Sequence, residues 1–321
     1  MEVVKIMTKE KFQSFWNKFG TLCILIVLFI AFSIGSPKFF PQPANLIQCL
    51  LQSTVYILLA FGEFFAILLG GIDLSVGAVA CFSGIIVADL SLKGVSPVVC
   101  LIVGLLGAVL FGFINGVLIN ALDLHPFVVT LGTNTIYRGI CLVMTGGNPL
   151  FNLPKWVKGL SAYIVGIPKP VIYVAVIGII LVAFTTKTVA GRNLYALGGN
   201  KQSAWYSGIN TKKYTVLAHI LSSLLAGIGG IVMLARVGAA EPTAGAGYET
   251  YAIAACIIGG ASLFGGKGRI WGVILGGITI GTINNGLNIM NVSAFWQKIV
   301  MGSLIIASVA LEKLISNKVR K

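Results

Sequence analysis

The sequence predicts an all-α polytopic membrane protein with about ten transmembrane helices. Two observations carry this. Apolar runs long enough to cross a bilayer recur along the 321 residues, of which 57% are hydrophobic, and the mean hydropathy is +0.95. Charge is scarce: 10% of residues are charged, against about 25% in an average soluble domain, and the charges fall between the runs. Such a chain has too few polar groups to cover a soluble surface, which excludes a soluble enzyme, a DNA-binding domain or a disordered tail. The net charge of +14 reads as membrane topology, because the basic residues are not gathered on one face as a nucleic-acid footprint would be.

The first apolar segment, Thr21–Gly35, follows a basic stretch and so mimics a signal peptide. It ends in Ser36-Pro37-Lys38 without a small-x-small cleavage site, so an uncleaved span is expected. Leu46–Gly70, Leu74–Leu92, Pro97–Leu122, Phe127–Met144, Pro170–Phe184, Tyr214–Leu234, Tyr251–Leu263, Ile270–Ile289 and Phe295–Ile315 follow. They leave no room for a globular domain: residues 1–20 form an N-terminal segment, 21–315 a membrane domain and 316–321 a tail. The eighth segment is short, since 13 residues cover about 20 Å of a ~30 Å core. Extending it back to Gly247 brings in Glu249. A re-entrant helix would reverse everything downstream, so a full crossing is expected. With the N-terminus inside, 15 Lys and Arg lie inside and 7 outside, with Arg138 within a span, which puts both termini in the cytoplasm.

Two stretches echo others. Leu68–Gly77 resembles Ile257–Gly266, with four of ten positions identical, and Ile114–Leu118 resembles Asn284–Asn288. Gly-interrupted duplications are common in transporters and point to two related halves; chance similarity among Gly-rich apolar runs is the competing explanation. A five-plus-five division would invert the halves, yet the longer echo joins segments six spans apart, which share one orientation.

The longest inside connection, residues 185–213, carries Lys187, Arg192, Lys201, Lys212 and Lys213 and no acidic residue. Asn200 is a good N-cap and Gly208 a good C-terminal stop, so a helix of about two turns is predicted between them. It is too short to stand alone. Its Trp205 and Tyr206 form an exposed knob, either a headgroup-facing loop or a docking element for a cytoplasmic protein.

No catalytic constellation, cofactor motif or metal cluster is found. Gly260–Gly268 approaches a P-loop but has one residue too many before its Gly-Lys pair, and Gly268 stands where Ser or Thr must follow. His125 and His219 are isolated, and the six Cys lie within apolar runs as small packing residues. Ionisable groups at membrane depth cost about 2.5–3.5 kcal/mol on insertion scales, so Glu63 and Arg138 must face the bundle interior, pair, or line water. Glu63, Asn115, Asn134, Asn284, Asn285 and Asn288 are the candidate pathway residues, of a kind that suits a neutral polyol; asparagine as glue between helices is the alternative. No series of paired carboxylates or histidines marks a proton relay, which argues against an ion-coupled carrier.

A combination of motifs is specific where each alone is not: Gly71-Ile72-Asp73-Leu74-Ser75-Val76-Gly77, Gly191-Arg192, Tyr195-Ala196-Leu197-Gly198-Gly199-Asn200, Ser207-Gly208-Ile209 and Gly265-Gly266-Lys267-Gly268-Arg269. With these the chain resembles the membrane-spanning permease subunits of ribose-type ABC sugar importers over nearly its whole length. Gly62-Glu63-Phe64-Phe65, Leu124-His125-Pro126-Phe127, Ala239-Ala240-Glu241-Pro242 and Glu249-Thr250-Tyr251 are most similar to the D-allose branch; ribose permeases lack the acid matching Glu63. The resemblance implies a homodimer in the bacterial cytoplasmic membrane, a pair of ATP-hydrolysing subunits and an extracytoplasmic sugar-binding protein. It implies no cofactor, no catalytic residue and no nucleic acid. It assigns Gly198, Gly199, Asn200, Ala204, Ser207 and Gly208 to ATPase coupling, and Gly71, Asp73, Ser75, Gly77, Gly265 and Gly266 to structural motifs. The substrate is expected to be D-allose, with ribose or another small sugar as the alternative.

Overall fold

The computed structural model describes the backbone of residues 2–319 and the side chains of residues 19–307 and 310. The terminal basic residues used for orientation, Lys5, Lys9, Lys11, Lys18, Lys313, Lys318, Arg320 and Lys321, lie outside the described side chains. Among the described residues the chain is mostly helical: α1 (Glu2–Gly35), α2 (Pro43–Leu68), α3 (Val76–Leu92), α4 (Pro97–Leu122), α5 (Pro126–Thr145), α6 (Lys155–Gly159), α7 (Lys169–Lys187), α8 (Val189–Gly199), α9 (Lys201–Tyr206), α10 (Thr211–Val237), α11 (Tyr248–Ile258), α12 (Ile270–Ile289) and α13 (Ala294–Val319). Between α6 and α7 a small hairpin pairs β1 (Tyr163–Ile164) with β2 (Ile167–Pro168). Each predicted apolar segment falls on a helix. Six of them, α2, α4, α5, α7, α10 and α12, are long and apolar enough to cross a membrane.

Proline starts α2, α4 and α5, where its missing N–H costs nothing. Left-handed residues stop α4 at Asp123, α5 at Gly146 and α10 at Gly238. Apolar side chains cover the outside as well as the core, and a few polar ones are buried. Val98, Leu106, Val143 and Ile179 are exposed, while Ser53, Asp73, Asn115 and Ser222 are buried. α2 is almost wholly enclosed.

Contacts fix the helix directions. Gly62 lies on Ser222 and Gly229 on Leu58, so α2 and α10 are antiparallel; Gly277 on Ile57 and Gly281 on Ser53 make α12 antiparallel to α2 as well. Gly112 meets Ile220 and Gly116 meets Val216, so α4 opposes α10; Gly104 meets Val87, so α3 opposes α4. α11 runs beside α2 in the same direction, with Tyr251 on Tyr56 and Cys256 Sγ on Ala60 O at 3.2 Å.

The packing partners repeat. α4 packs on α10 as α12 packs on α2; α3 on α10 as α11 on α2; α3 on α4 as α11 on α12; and α3 on α5 as α11 on α13. In this correspondence α2 answers to α10, α3 to α11 and α4 to α12, and each member runs opposite to its counterpart. The longer sequence echo marks something else. It joins the ends of α2 and α11, which are parallel neighbours. Both ends carry the same cap, a left-handed glycine (Gly70, Gly260) and a bond spanning five residues (Gly71 N to Ala66 O, Ala261 N to Cys256 O), one residue out of register with the echo, which pairs Gly70 with Gly259.

The eighth segment differs from expectation. α11 starts at Tyr248 and ends at Ile258, so its 11 residues rise only about 16 Å. Residues 238–247 lead into it without helix. Gly245 and Gly247 have φ of +69° and +83°, and Ala240 forms a β-bridge with Leu150. α10 and α12 share one direction, so the chain does pass back between them. α3 is entered by a similar non-helical turn, and the first turns of α3 and α11 meet where Gly77 faces Gly245 and Glu249.

Candidate functional site

The first cluster is a buried polar knot built by the turn after α2. The chain doubles back along α2, so the Asp73 N–H donates to Glu63 Oε1 at 3.0 Å. The Asp73 carboxylate accepts from Ser75 N at 3.0 Å, Ser75 Oγ at 2.6 Å and Ser222 Oγ at 2.8 Å, and His219 Nδ1 lies 3.4 Å away. Asn115 Nδ2 donates to Ser75 Oγ at 2.9 Å, and the Tyr137 hydroxyl donates to Asn115 Oδ1 at 3.0 Å. Thr130 Oγ1 donates to Ile72 O and accepts from Leu74 N, both at 3.1 Å. Four helices and the turn are thus tied at a point from which water is excluded, where unpaired polar groups are costly. Glu63 Oε2 is buried without a partner.

Beside the knot, Arg138 Nη1 donates to Ala244 O at 3.1 Å. Arg138 Nη2 and Glu249 Oε2 are buried and unpartnered, and both point at the space that a side chain on Gly77 would fill.

The second cluster joins two sequence motifs. α8 is capped by Thr188, whose Oγ1 accepts from Gly191 N at 3.0 Å, and it buries Leu194 and Leu197. Asn193 Nδ2 donates to the Tyr214 hydroxyl at 2.7 Å, and the Tyr195 hydroxyl donates to Gly268 O at 2.8 Å. Burial raises the Tyr195 phenol above its ordinary pKa, with a smaller opposing effect from Arg269, so it remains a donor. Gly266 N donates to Leu68 O at 2.8 Å, and a Cβ on Gly198 would collide with that same oxygen. The end of α8, the end of α2 and the loop before α12 therefore touch backbone to backbone. The P-loop-like stretch is part of this joint.

α9 follows with the predicted caps. Asn200 Oδ1 accepts from Ser203 N at 2.8 Å, and Gly208 has φ +80°. Ala204 is buried, while Trp205 and Tyr206 are 62% and 72% exposed. The connection holds two helices where one was expected, because α8 was not foreseen.

Of the candidate pathway residues, Glu63 and Asn115 meet in the knot. Asn285 forms a reciprocal amide pair with Asn45 (2.9 and 3.1 Å), Asn288 Oδ1 accepts from Gln297 Nε2 at 2.7 Å, and Asn284 donates to Ile280 O of its own helix. Asn134 Oδ1 is buried without a partner. The Asn45–Asn285 pair links α2 to α12. A double-mutant cycle with Asn45→Ala and Asn285→Ala, read by unfolding in bicelles, is expected to give a coupling of about 0.6 kcal/mol, the average for such pairs in membranes. His219, Ser222, Thr130 and Tyr137 were not singled out. His219 and Ser222 are polar positions three apart on one helix face, a signal that was available.

Residues 45–309 match the family described as branched-chain amino acid transport system / permease component. The chain belongs to this permease family. The permease is 51% identical to the D-allose transport system permease protein of Escherichia coli, over 98% of each chain. It is 41% identical to the ribose import permease protein of Bacillus subtilis, over 98% of this chain and 99% of that one. It is 35% identical to the autoinducer 2 import system permease protein of Photorhabdus luminescens, over 92% of each. No solved structure matches it.

Proposed function

We propose that the permease is the membrane-spanning subunit of a binding-protein-dependent ABC importer that carries a monosaccharide, D-allose, into the cytoplasm. ATP is hydrolysed on a separate pair of subunits. The observation that carries this reading is the 51% identity with the D-allose permease from end to end. Ribose is the second reading, supported by the 41% identity with a ribose permease.

The chain crosses the bacterial cytoplasmic membrane ten times, by α1, α2, α3, α4, α5, α7, α10, α11, α12 and α13, with both termini in the cytoplasm. Two copies form the translocator. α11 acts as a half-length helix, and it and α3 are both entered by non-helical backbone, an arrangement that transporters use around their pathways. The loop of residues 185–213 is cytoplasmic, and α9 is the helix that seats in the ATPase. Gly198, Gly199, Asn200, Ala204, Ser207 and Gly208 shape it. When ATP closes the ATPase pair, α9 moves, and the joint at Gly198 passes that motion to the end of α2 and so to Glu63 and Asp73. The neutral asparagines suit an uncharged cargo. Most of the selectivity lies in the binding protein.

ATP hydrolysis by the complex is expected to rise on adding binding protein loaded with D-allose. Equal hydrolysis with loaded and empty binding protein would remove the reading. Gly208→Arg and Ala204→Asp are expected to leave membrane insertion intact while uncoupling hydrolysis from uptake. Wild-type uptake in both variants would remove α9 from the coupling role.

A further inference from the structure

A cleft of about 160 Å³ lies between α3, α10 and residues 238–248, and none of the roles above uses it. Its lining includes Cys81 and Gly84 of α3, Met233 and Arg236 of α10, Glu241, and Tyr248 of α11. Arg236 Nη1 is shielded from solvent and has no hydrogen-bond partner. Glu241 is exposed, and its Oε1 is held by Thr243 Oγ1 at 2.7 Å. Tyr248 belongs to a three-ring cluster with Tyr56 and Tyr251, with centroids 5.4–5.6 Å apart. A guanidinium that donates, a carboxylate that accepts and an aromatic face at an apolar wall are the groups that hold a sugar ring. Its C–H face packs on the aromatic ring, and its hydroxyls both accept and donate. The volume suits one ring.

The wall behind the cleft is thin. Ala244 and Gly245 line it. On their far side Arg138 bonds to Ala244 O, and the unpartnered Arg138 Nη2 and Glu249 Oε2 supply a second donor and acceptor. Gly245 sits at φ +69° with its carbonyl against Gly77 and accepting from Tyr248 N, so this wall is non-helical backbone held by few hydrogen bonds, those of Ala244 and Gly245.

We propose that this cleft is a subsite for a single sugar ring, held by Arg236, Glu241 and Tyr248, from which the ring passes to Arg138 and Glu249 when the Ala244–Gly245 backbone moves aside. The ligand class rests on the importer reading. The test is direct. Reporter thiols are introduced by Ala239→Cys and, separately, Val237→Cys, both lining the cleft. Maleimide labelling of the purified permease complex is then timed with D-allose, D-ribose or sucrose, and the parent protein's background is subtracted. D-allose or D-ribose should slow labelling where sucrose does not. Arg236→Gln should raise the half-protecting concentration about tenfold, the loss of one good polar contact, and Tyr248→Leu should raise it by a similar factor through loss of the stacking face. Absence of protection at both reporters in folded complex, or equal protection by sucrose, would overturn the subsite. Uptake of sugar without protection removes the subsite and leaves the importer reading; protection without uptake does the reverse.

Discussion

Gly198→Ala is expected to lower sugar uptake by an order of magnitude or more while the protein still reaches the membrane. The added Cβ would collide with Leu68 O and stand 2.8 Å from Gly266 N, the two atoms that bond to each other across the joint. Neither is the free end of a side chain, so α8 must lift away or the bond must break. Gly266 has φ +68° and lies against Gly199, so the loop has little freedom to retreat. The expected consequence is mechanical. α8 keeps Leu194 and Leu197 buried, and the fold survives, but the contact through which α9 moves α2 is loosened. Uptake and ATP hydrolysis measured on one preparation separate this from misfolding: hydrolysis should persist while uptake falls. Gly132→Ala on α5, where a Cβ meets open space, is the control and should behave as the parent.

Asp73→Ala is expected to destabilise the protein by about 3–5 kcal/mol, the usual cost of removing one partner from a buried charged or hydrogen-bonded pair. The carboxylate is fully buried and accepts from Ser75 twice and from Ser222, with His219 beside it. Deleting it leaves those donors without water to replace it, and it frees the Ser75 hydroxyl that Asn115 contacts. Asp73→Asn retains one accepting oxygen and should lie between the parent and Ala. The check is the thermal midpoint in detergent for the three proteins. An Ala variant as stable as the parent would mean that the knot is not what holds α3, α4 and α10 together.

What was legible in the sequence follows the range of the forces involved. The apolar runs and the caps of α9 depend on neighbours a few residues apart, and both were read correctly. α8 was not, because three of its 11 residues are glycine, a poor helix former, and its stability comes from burying Leu194 and Leu197. His219 looked isolated because its partner Asp73 lies 146 positions away. Asn285, a pathway candidate with helix glue as the alternative, acts as glue in the structure through Asn45, which lies 240 positions away. The echo between Leu68–Gly77 and Ile257–Gly266 lies at two helix ends with the same cap, but the caps pair Gly70 with Gly260 where the echo pairs Gly70 with Gly259. The correspondence of α2 with α10 and α3 with α11 leaves little trace in the sequence, since packing asks only for small and apolar residues at the crossings. The shortness of α11 has a local cause, the left-handed glycines 245 and 247, which a tally of hydropathy does not register.

Uptake of labelled D-allose into sealed vesicles containing the complex tests the central claim most directly, with ATP supplied on the α9 side and binding protein on the other. Uptake that needs both ATP and the binding protein, and that continues when a protonophore collapses the proton gradient, is the expected result. Uptake that proceeds without ATP and stops with the protonophore would make the chain an ion-coupled carrier and contradict the reading.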